Sequence, residues 1–256
     1  MATLESKRNP VSKLHVGTMG WSYAFWVGDF YPTGLRPDAY LSEYSKHFNS
    51  VEIDNTFYRI PSANTVQTWK TQTPKGFLFS AKFPRVITHL KMLRNCEEET
   101  DRFVSTMFQL QDKLGPLLLQ FPPTFKPEHL PDLRSFLSEL PRDRRFAVEV
   151  RNKELLGDEL YNLLREANAA LVLADKPFVP SVEVTADFVY IRWEGDRKKV
   201  AGTLGKVEAD RTEDISKWAQ IVRRFLDRRI EVFGYFSKYY SGYPPADVKK
   251  LLAFFE

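Results

Sequence analysis

The sequence contains a single cysteine, Cys96, among its 256 residues. Because a disulfide and a thiolate zinc site each need at least two cysteines, both are excluded within this chain. A lone thiol is typical of a reducing compartment. Long apolar runs are also missing, since no stretch reaches the roughly 18 residues that cross a bilayer. Residues 1–14 are polar and lack the apolar core of a secretory signal, so we expect a cytoplasmic protein without membrane attachment.

Histidine is scarce as well, with four residues in the chain: His15, His47, His89 and His129. Only His89 follows a predicted strand closely enough to reach a predicted site. A multi-histidine metal centre and a Ser-His-Asp triad are therefore disfavoured, although His89 alone could act as an acid or base. The net charge is small, +4 with a pI near 9.0. This balance permits a nucleic acid or a small anionic molecule as partner and requires neither.

What recurs along the chain is a short apolar, β-branched run followed by a helical pattern. Eight runs predict strands at residues 15–21, 50–54, 77–83, 117–121, 146–151, 170–175, 188–194 and 231–238. Seven helical patterns accompany them, at residues 38–48, 63–71, 98–114, 130–140, 153–167, 215–229 and 246–255. Only the crossover at residues 176–187 lacks a clear helical pattern. Alternating strands and helices predict βαβ units and a parallel sheet.

Eight βα units in about 250 residues match the size of one closed (β/α)8 barrel of the TIM type. We expect residues 15–256 to form this single domain, preceded by an N-terminal lead of residues 1–14. An open doubly wound sheet is the alternative, and it would carry a glycine-rich phosphate loop after the first strand. Gly17 and Gly20 stand there without the third glycine of the dinucleotide fingerprint. We therefore prefer the closed barrel and expect no nucleotide cofactor.

Alternation along the predicted strands sends many polar side chains into the barrel. Alternate strand residues point inward, and functional groups gather at the C-terminal strand ends, called the mouth here. The predicted inward polar residues are Glu52, Asp54, Lys82, Gln120, Glu149, Arg151, Tyr190, Arg192 and Glu194. One such charge would indicate only a structural ion pair. Charges on this many strands indicate a ligand site or active site at the mouth, because buried charges must pair or face a wet cavity.

The mixture of charges favours an anionic substrate and acid–base chemistry. Guanidinium and ammonium groups bind phosphate and carboxylate, and the candidates are Lys82, Arg151 and Arg192, with Gln120 beside them. The candidates for proton transfer are Glu52, Glu149 and His89. A divalent metal stays open as a cofactor, since hard cations take oxygen ligands. Its candidate ligands are Glu52, Glu149, Asp175 and Glu194.

Aromatic residues crowd the loop after the first predicted strand. Trp21 and Tyr23 lie nearest the predicted mouth and could stack on a base or a sugar ring. Phe25 and Phe30 fit a hydrophobic plug better. Three further residues are predicted to border the mouth, after the second and eighth strands: Tyr58, Arg59 and Lys238. Lys238 is included because loops after the last two strands often hold phosphate in this fold.

Several segments together resemble a known family. They are residues 17–23, 26–32, 51–59, 82, 88–89, 120–123, 147–151 and 241–246. These segments resemble the YecE-like family, also called domain of unknown function 72, and they follow in order along nearly the whole chain. The resemblance implies a TIM-type barrel. It implies no activity, because the function of the family is not established.

The chain departs from the usual family pattern in its last two strands. Members commonly show Arg-x-His-Gly at the seventh strand, where this sequence reads Arg192-Trp193-Glu194-Gly195. Near the end of the eighth strand, members usually have an Asn-Asn pair, and this sequence has Ser237-Lys238. After the seventh strand, members have a Tyr-x-Gly-x-Tyr motif, and the segment at residues 200–204 keeps only its glycine, Gly202. A different substrate, or loss of an ancestral activity, would fit these departures.

Two classes of function follow from the residues. The first is an enzyme acting on a phosphorylated or other anionic compound, and hydrolysis of a phosphoester or a proton-transferring isomerase or lyase reaction would use the same groups. The second is a non-catalytic nucleic-acid binder that uses basic charge and exposed aromatic rings, whose affinity would fall steeply with salt. The sequence leaves the oligomeric state open.

Overall fold

The fold is an eight-stranded parallel sheet curled into a nearly closed barrel. A computed structural model describes residues 13–175 and 182–256. The strands are β1 Leu14–Thr18, β2 Ser50–Ile53, β3 Leu78–Lys82, β4 Leu114–Gln120, β5 Phe146–Glu149, β6 Ala170–Ala174, β7 Phe188–Trp193 and β8 Glu231–Phe236. From β2 to β8 each strand pairs in parallel with the next one along the chain, and β8 pairs in parallel with β1. The predicted TIM-type barrel is therefore confirmed, with a strand at each of the eight predicted places.

The barrel closes between β1 and β2 mainly through side chains. A single parallel bridge joins Met19 to Glu52, and the Asn49 side chain supplies further hydrogen bonds. Its Oδ1 accepts from Val16 N at 3.1 Å, and its Nδ2 donates to the Leu14 carbonyl at 2.8 Å. No regular ladder joins β1 to β2, so the Asn49 side chain supplies the hydrogen bonds that the buried backbone groups of β1 need at this seam.

Helices cover the outside of the barrel. They are α1 Tyr40–Tyr44, α2 Ala63–Gln72, α3 Glu97–Phe108, α4 Leu130–Glu139, α5 Asp158–Glu166, α6 Thr212–Asp227, α7 Lys238–Ser241 and α8 Pro244–Leu252. The crossover between β6 and β7 has no helix in residues 182–187, and its residues 176–181 lie outside the described part, as does most of the predicted N-terminal lead. Within the described residues, no helix combines the length and apolar character needed to cross a membrane.

Three predicted boundaries are wrong for local reasons. The predicted helix 98–114 overruns, because α3 ends at Phe108 and Gln111 adopts a left-handed φ of 56° just before β4 begins. The predicted helix 153–167 is divided at Gly157 into a 3₁₀ turn and α5. The predicted last strand ends at Phe236 instead of residue 238, because Ser237 Oγ caps α7 by accepting from Tyr239 N at 3.3 Å. Lys238 therefore begins a helix.

Two apolar layers follow from strand alternation. Outward residues such as Val51, Ile53 and Phe79 join the large core between strands and helices. A smaller cluster fills the barrel interior and includes Leu118, Val172 and Phe233. The charged inward side chains that follow this apolar cluster along the strands lie at the C-terminal strand ends. The fold therefore positions the charged residues of several strands at one mouth.

Candidate functional site

The centre of the mouth is the guanidinium of Arg192, which projects inward from β7 and is almost fully buried. Its Nε and Nη2 donate to the Glu52 carboxylate at 3.0 and 2.9 Å. Its Nη1 donates to Glu149 Oε2 at 2.6 Å and to Glu194 Oε1 at 2.7 Å. Asp54 Oδ1 lies 3.5 Å from Nη2. These four carboxylates and Arg192 are called the Arg192 cluster below, and every nitrogen of the guanidinium is already paired within it.

A second set of side chains lies nearer the opening and holds Glu149 in place. Glu149 Oε1 accepts from Gln120 Nε2 at 2.7 Å and from Arg151 Nε at 3.0 Å. Arg151 also reaches Glu194 Oε1 with Nη2 at 2.8 Å. The Arg151 side chain is 35% exposed, whereas that of Arg192 is 3% exposed. Solvent or a ligand can therefore reach the Arg151 guanidinium. Glu149 is thus fixed by three donors from three strand ends.

The floor beneath the Arg192 cluster is made of buried hydroxyl groups. Tyr190 donates its hydroxyl to Glu52 Oε2 at 2.6 Å. Tyr235 lies beside it, with its hydroxyl 2.7 Å from Ser50 Oγ and 2.8 Å from Ser80 Oγ. Alternation predicts Tyr190 inward without assigning it to the site, and it leaves the facing of Tyr235 ambiguous because both faces of β8 carry polar residues. The floor closes the site from below.

Burial shifts several pKa values in this site. Burial raises the pKa of Glu52 to about 7, although the adjoining Arg192 charge favours the ionised carboxylate. Burial, followed by the charge of Arg192, lowers the pKa of the Lys82 ammonium. Burial and then the charges of Lys82 and Arg151 lower the pKa of His89 to about 4, so its imidazole is neutral at pH 7. At the mouth, the pKa of the Glu52 carboxyl is therefore raised and the pKa of the Lys82 amine is lowered. Both changes favour the uncharged form of the group.

Lys82 and His89 share the side of the mouth next to β3. The Lys82 Nζ donates to Gln120 Oε1 and lies 4.0 Å from the centroid of the Phe57 ring. The His89 ring packs on the same phenyl group at 4.9 Å, and its Nδ1 lies 2.9 Å from Thr88 Oγ1. Sequence reasoning missed Phe57, because a single aromatic residue in a turn carries no periodic signal.

The remaining predicted site residues are placed differently. Trp21 packs edge-on against Trp69 and Phe79, toward the helical layer. Tyr23 donates its hydroxyl to the Met19 carbonyl, and the Lys238 ammonium lies 5.8 Å from its ring, so these two form a pair on the β1 side. Two residues are exposed on the rim without contact to the Arg192 cluster: Tyr58 and Arg59. The structure brings together six of the predicted catalytic and substrate-binding residues in one hydrogen-bonded network: Glu52, Lys82, Gln120, Glu149, Arg151 and Arg192. The predicted inward carboxylates Asp54 and Glu194 also contact Arg192, and His89 lies beside Lys82 on the Phe57 ring.

The aromatic residues of the first loop pack inward. Phe30 is buried among Trp26, Tyr44 and Phe48, and Phe25 packs on Tyr23. Of the aromatic residues predicted at the mouth, Trp21, Tyr23 and Tyr58, only Tyr58 is largely exposed, at 83%, and the sequence predicts it to border the mouth rather than to stack. The loop therefore stabilises the wall beside β1 and does not present a row of rings for stacking bases.

The carboxylates proposed as metal ligands are engaged by other groups. Glu52, Glu149 and Glu194 surround Arg192, while Asp175 accepts from Glu194 N at 2.8 Å and Gly195 N at 2.9 Å. In the described part of the chain, no three His, Cys, Asp or Glu residues are grouped so that they could hold a metal ion. The residues present in this arrangement therefore do not fit a carboxylate-bound divalent cation.

Known proteins resemble this chain in sequence and in fold. A family model described as protein of unknown function DUF72 matches residues 15–256. The chain belongs to this family. The predicted YecE-like resemblance is thereby confirmed, and the family description names no activity.

Relatives and solved structures agree with this assignment. The chain is 36% identical over 154 residues to protein YecE of Escherichia coli strain K12, an alignment covering 59% of this chain and 54% of the relative. It is 32% identical over 159 residues to protein YunF of Bacillus subtilis strain 168, covering 58% and 54%. The chain thus spans about half the length of the curated relatives it matches. A DUF72 family crystal structure from Thermotoga maritima superposes with a TM-score of 0.74 at 26% identity, covering 94% of this chain and 97% of that one.

Proposed function

We propose that this protein is an enzyme whose active site is the barrel mouth, where it transfers a proton on a small substrate that carries an anionic group. One observation carries the proposal. Burial shifts the pKa of a carboxylic acid, Glu52, up to about 7 and that of an amine, Lys82, downward within one connected cluster of side chains. Shifted pKa values of this kind are concentrated at catalytic sites, so they mark this cluster as the active site. Position within the cluster then identifies the residue that moves the proton.

The substrate's anionic group is assigned to Arg151. The Arg192 nitrogens are all paired with carboxylates, so Arg192 has no free donor for a ligand. Arg151 keeps a third of its side chain exposed, and its guanidinium can bind one phosphate or carboxylate through the N–H donors that do not contact Glu149 or Glu194.

Glu149 is assigned as the group that moves the proton, and Glu52 as a positioning residue. Glu149 contacts the partly exposed Arg151, whereas Glu52 is fully buried and accepts from the buried Tyr190 hydroxyl. Glu52 orients Arg192, which in turn orients Glu149. Three of the four carboxylates are largely buried in the site, and their negative charge disfavours a phosphate dianion at the centre, so proton transfer is better supported than phosphoester hydrolysis.

Exchange of substrate hydrogens with solvent tests this function without knowledge of the full reaction. The protein would be incubated in D₂O with a panel of small phosphorylated and carboxylated hydroxy and keto compounds, and C–H loss followed by proton NMR. We expect exchange in at least one compound, reduced about 100-fold or more by Glu149→Gln, the size typical of a lost general base. The melting temperature of that variant should stay within a few degrees of the wild-type value.

Glu139→Gln, on the exposed face of α4, serves as the matched control and should leave exchange unchanged. Absence of exchange across the panel would overturn the proposal. Glu149-dependent release of inorganic phosphate, without C–H exchange, would instead favour hydrolysis. Binding of nucleic acid with a steep salt dependence and no exchange would favour the non-catalytic alternative.

A further inference from the structure

Lys82 is a buried lysine whose amino group lacks the partners that a buried cation usually has. Its side chain enters the mouth from the end of β3 and is only 8% exposed. The Nζ donates to one uncharged acceptor, Gln120 Oε1, and rests against the face of Phe57. Among the residues that the structure describes, no carboxylate oxygen lies within 4.0 Å of it. Buried lysines are otherwise almost always paired.

Lys113 provides an internal comparison, because it is equally buried, at 8%. Its Nζ donates to three oxygens: the Lys70 carbonyl at 2.7 Å, the Thr73 carbonyl at 2.5 Å and Thr73 Oγ1 at 3.0 Å. Lys113 therefore has an acceptor for each of its three N–H groups, as a structural ammonium requires. Lys82 has one such acceptor, so its surroundings stabilise a charged ammonium much less.

The neutral amine form suits the Lys82 environment better than the charged form. Burial, followed by the positive charge of Arg192, lowers the pKa of the Lys82 ammonium, and these effects outweigh the charges of Asp54, Glu149 and Glu52, which favour the ammonium. A neutral lysine amine has a free electron pair and is a nucleophile toward aldehydes and ketones. Lysines desolvated next to another cation are activated in this way, and Lys82 and Arg192 meet that description at the mouth.

We propose that Lys82 captures the carbonyl group of a small aldehyde or ketone as a Schiff base, the carbonyl compound also bearing a phosphate or carboxylate. This inference rests on the proposed function and names its substrate class. The Lys82 Nζ electron pair forms a bond to the carbonyl carbon, and one proton moves from nitrogen to the carbonyl oxygen. A second proton from solvent then releases that oxygen as water, leaving a positively charged iminium.

The surrounding residues fit each requirement of that step. The Phe57 face, 4.0 Å from Nζ, stabilises the iminium cation as it stabilises the ammonium. The iminium withdraws electrons from the neighbouring C–H bond, so that Glu149, linked to Lys82 through the Gln120 amide, can accept the released proton. Arg151, bonded to Glu149 at 3.0 Å and partly exposed, is placed to hold the anionic end.

Reductive trapping tests the assignment directly. The wild-type protein would be treated near neutral pH with sodium cyanoborohydride and either pyruvate or dihydroxyacetone phosphate as probe. Reduction of the iminium adds the mass of the probe minus one oxygen atom, which intact-mass spectrometry and peptide mapping locate. A lowered pKa raises the neutral fraction of the amine, so Lys82 should be labelled faster than any surface lysine.

Peptide mapping of the wild-type protein also reports Lys113, which we expect to stay unlabelled, so the comparison needs no variant. Lys82→Arg keeps the charge without a nucleophilic amine and should abolish the fast labelling. Labelling spread evenly over surface lysines, or an unlabelled Lys82, would overturn the Schiff-base inference. If Glu149-dependent C–H exchange persisted in that case, the proposed acid–base function would stand alone; if exchange were also absent, both would fall.

Discussion

At the scale of single residues, Arg192 determines how the mouth is held together. Burial alone would lower the pKa of its guanidinium, but the surrounding carboxylates raise it well above the usual value. A buried ion pair stabilises a protein little more than apolar residues would if they replaced both partners. Removal of one partner alone is costly, because it leaves the other charge buried and uncompensated. Arg192 is the common partner of Glu52, Glu149 and Glu194, so its loss affects all three at once.

Arg192→Met is therefore expected to lower the free energy of unfolding by about 3–5 kcal/mol, the cost of leaving buried carboxylates unpaired. Urea denaturation followed by circular dichroism measures this difference. Arg151→Met is the matched control, because it removes a guanidinium that contacts Glu149 and Glu194 but is 35% exposed. We expect that control to cost about 1 kcal/mol or less. Equal losses in the two variants would contradict the central role of Arg192.

At the scale of elements, the start of α8 contains a buried acid outside the mouth. Asp247 lies in the first turn after two prolines and accepts from Ser241 Oγ at 2.6 Å. Burial raises its pKa to about 7, although the Ser241 hydrogen bond and the charges of Lys250 and Arg211 oppose the shift. The helix terminus would by itself favour the ionised carboxylate, so desolvation is the dominant effect here.

Stability should therefore depend on pH through Asp247. The pKa of Asp247 is higher in the folded protein than in the unfolded chain, so the protonated carboxyl stabilises the fold. This contribution to the free energy of unfolding is complete at low pH and is lost as the pH rises through about 7. Relative to Asp247→Asn, the wild-type free energy of unfolding should fall by up to about 1.4 kcal/mol per pH unit between about pH 5 and 7.

Urea denaturation of both proteins across this range measures the difference, and the shared pH effects of Glu52 and His89 cancel in it. A constant difference between the two proteins would show that Asp247 keeps an ordinary pKa in the folded state. Asn at this position can still accept the Ser241 hydrogen bond, so the comparison isolates the charge.

Elements with a long periodic pattern were predictable, and short ones were not. The eight strands and the main helices α2 to α6 and α8 appear where apolar periodicity placed them, because each buries one face against the barrel. The four-residue helix α7 was missed, since a single turn has no period. Its start depends on the Ser237 cap, a local hydrogen bond that competes with continuation of β8.

At the scale of the whole molecule, closure of the barrel depends on a close approach at the β1–β2 seam. A methyl group placed on Gly17 would lie 1.9 Å from the Ser50 carbonyl oxygen and 2.7 Å from the Tyr44 hydroxyl. That hydroxyl accepts from Thr18 N at 2.9 Å and donates to the Ser50 carbonyl at 3.0 Å. The space between β1 and β2 at position 17 is therefore too small for any side chain, and only glycine fits there.

Gly17→Ala should lower the free energy of unfolding by about 3 kcal/mol or more, because the strands must separate to admit the methyl group. Thermal and urea denaturation measure the loss. Gly157→Ala is the control, since a methyl group placed on Gly157 would have nothing within 4 Å of it and the backbone there is extended. That substitution should change stability by less than about 1 kcal/mol. A tolerated Gly17→Ala would contradict a tight seam.

The sequence by itself determined the architecture and the inward facing of the polar residues. Strand and helix periodicities are local, and alternation along β2, β5 and β7 was enough to send Glu52, Glu149 and Arg192 to one mouth. Only the tertiary structure decided which charges neutralise one another. Glu52 and Arg192 are 140 residues apart and Glu149 and Arg192 are 43 apart, so their pairing depends on barrel geometry that no local pattern encodes.

That pairing changed the interpretation of the three cations. The sequence grouped Lys82, Arg151 and Arg192 as one anion clamp, because each is a basic residue at a strand end. In the folded barrel Arg192 is surrounded by carboxylates, and Arg151 is shared between carboxylates and solvent. The Lys82 amino group lies against the Gln120 amide and the Phe57 ring. The physical reason is that burial and distance, which the fold sets, decide whether a basic side chain is a paired cation or a reactive amine.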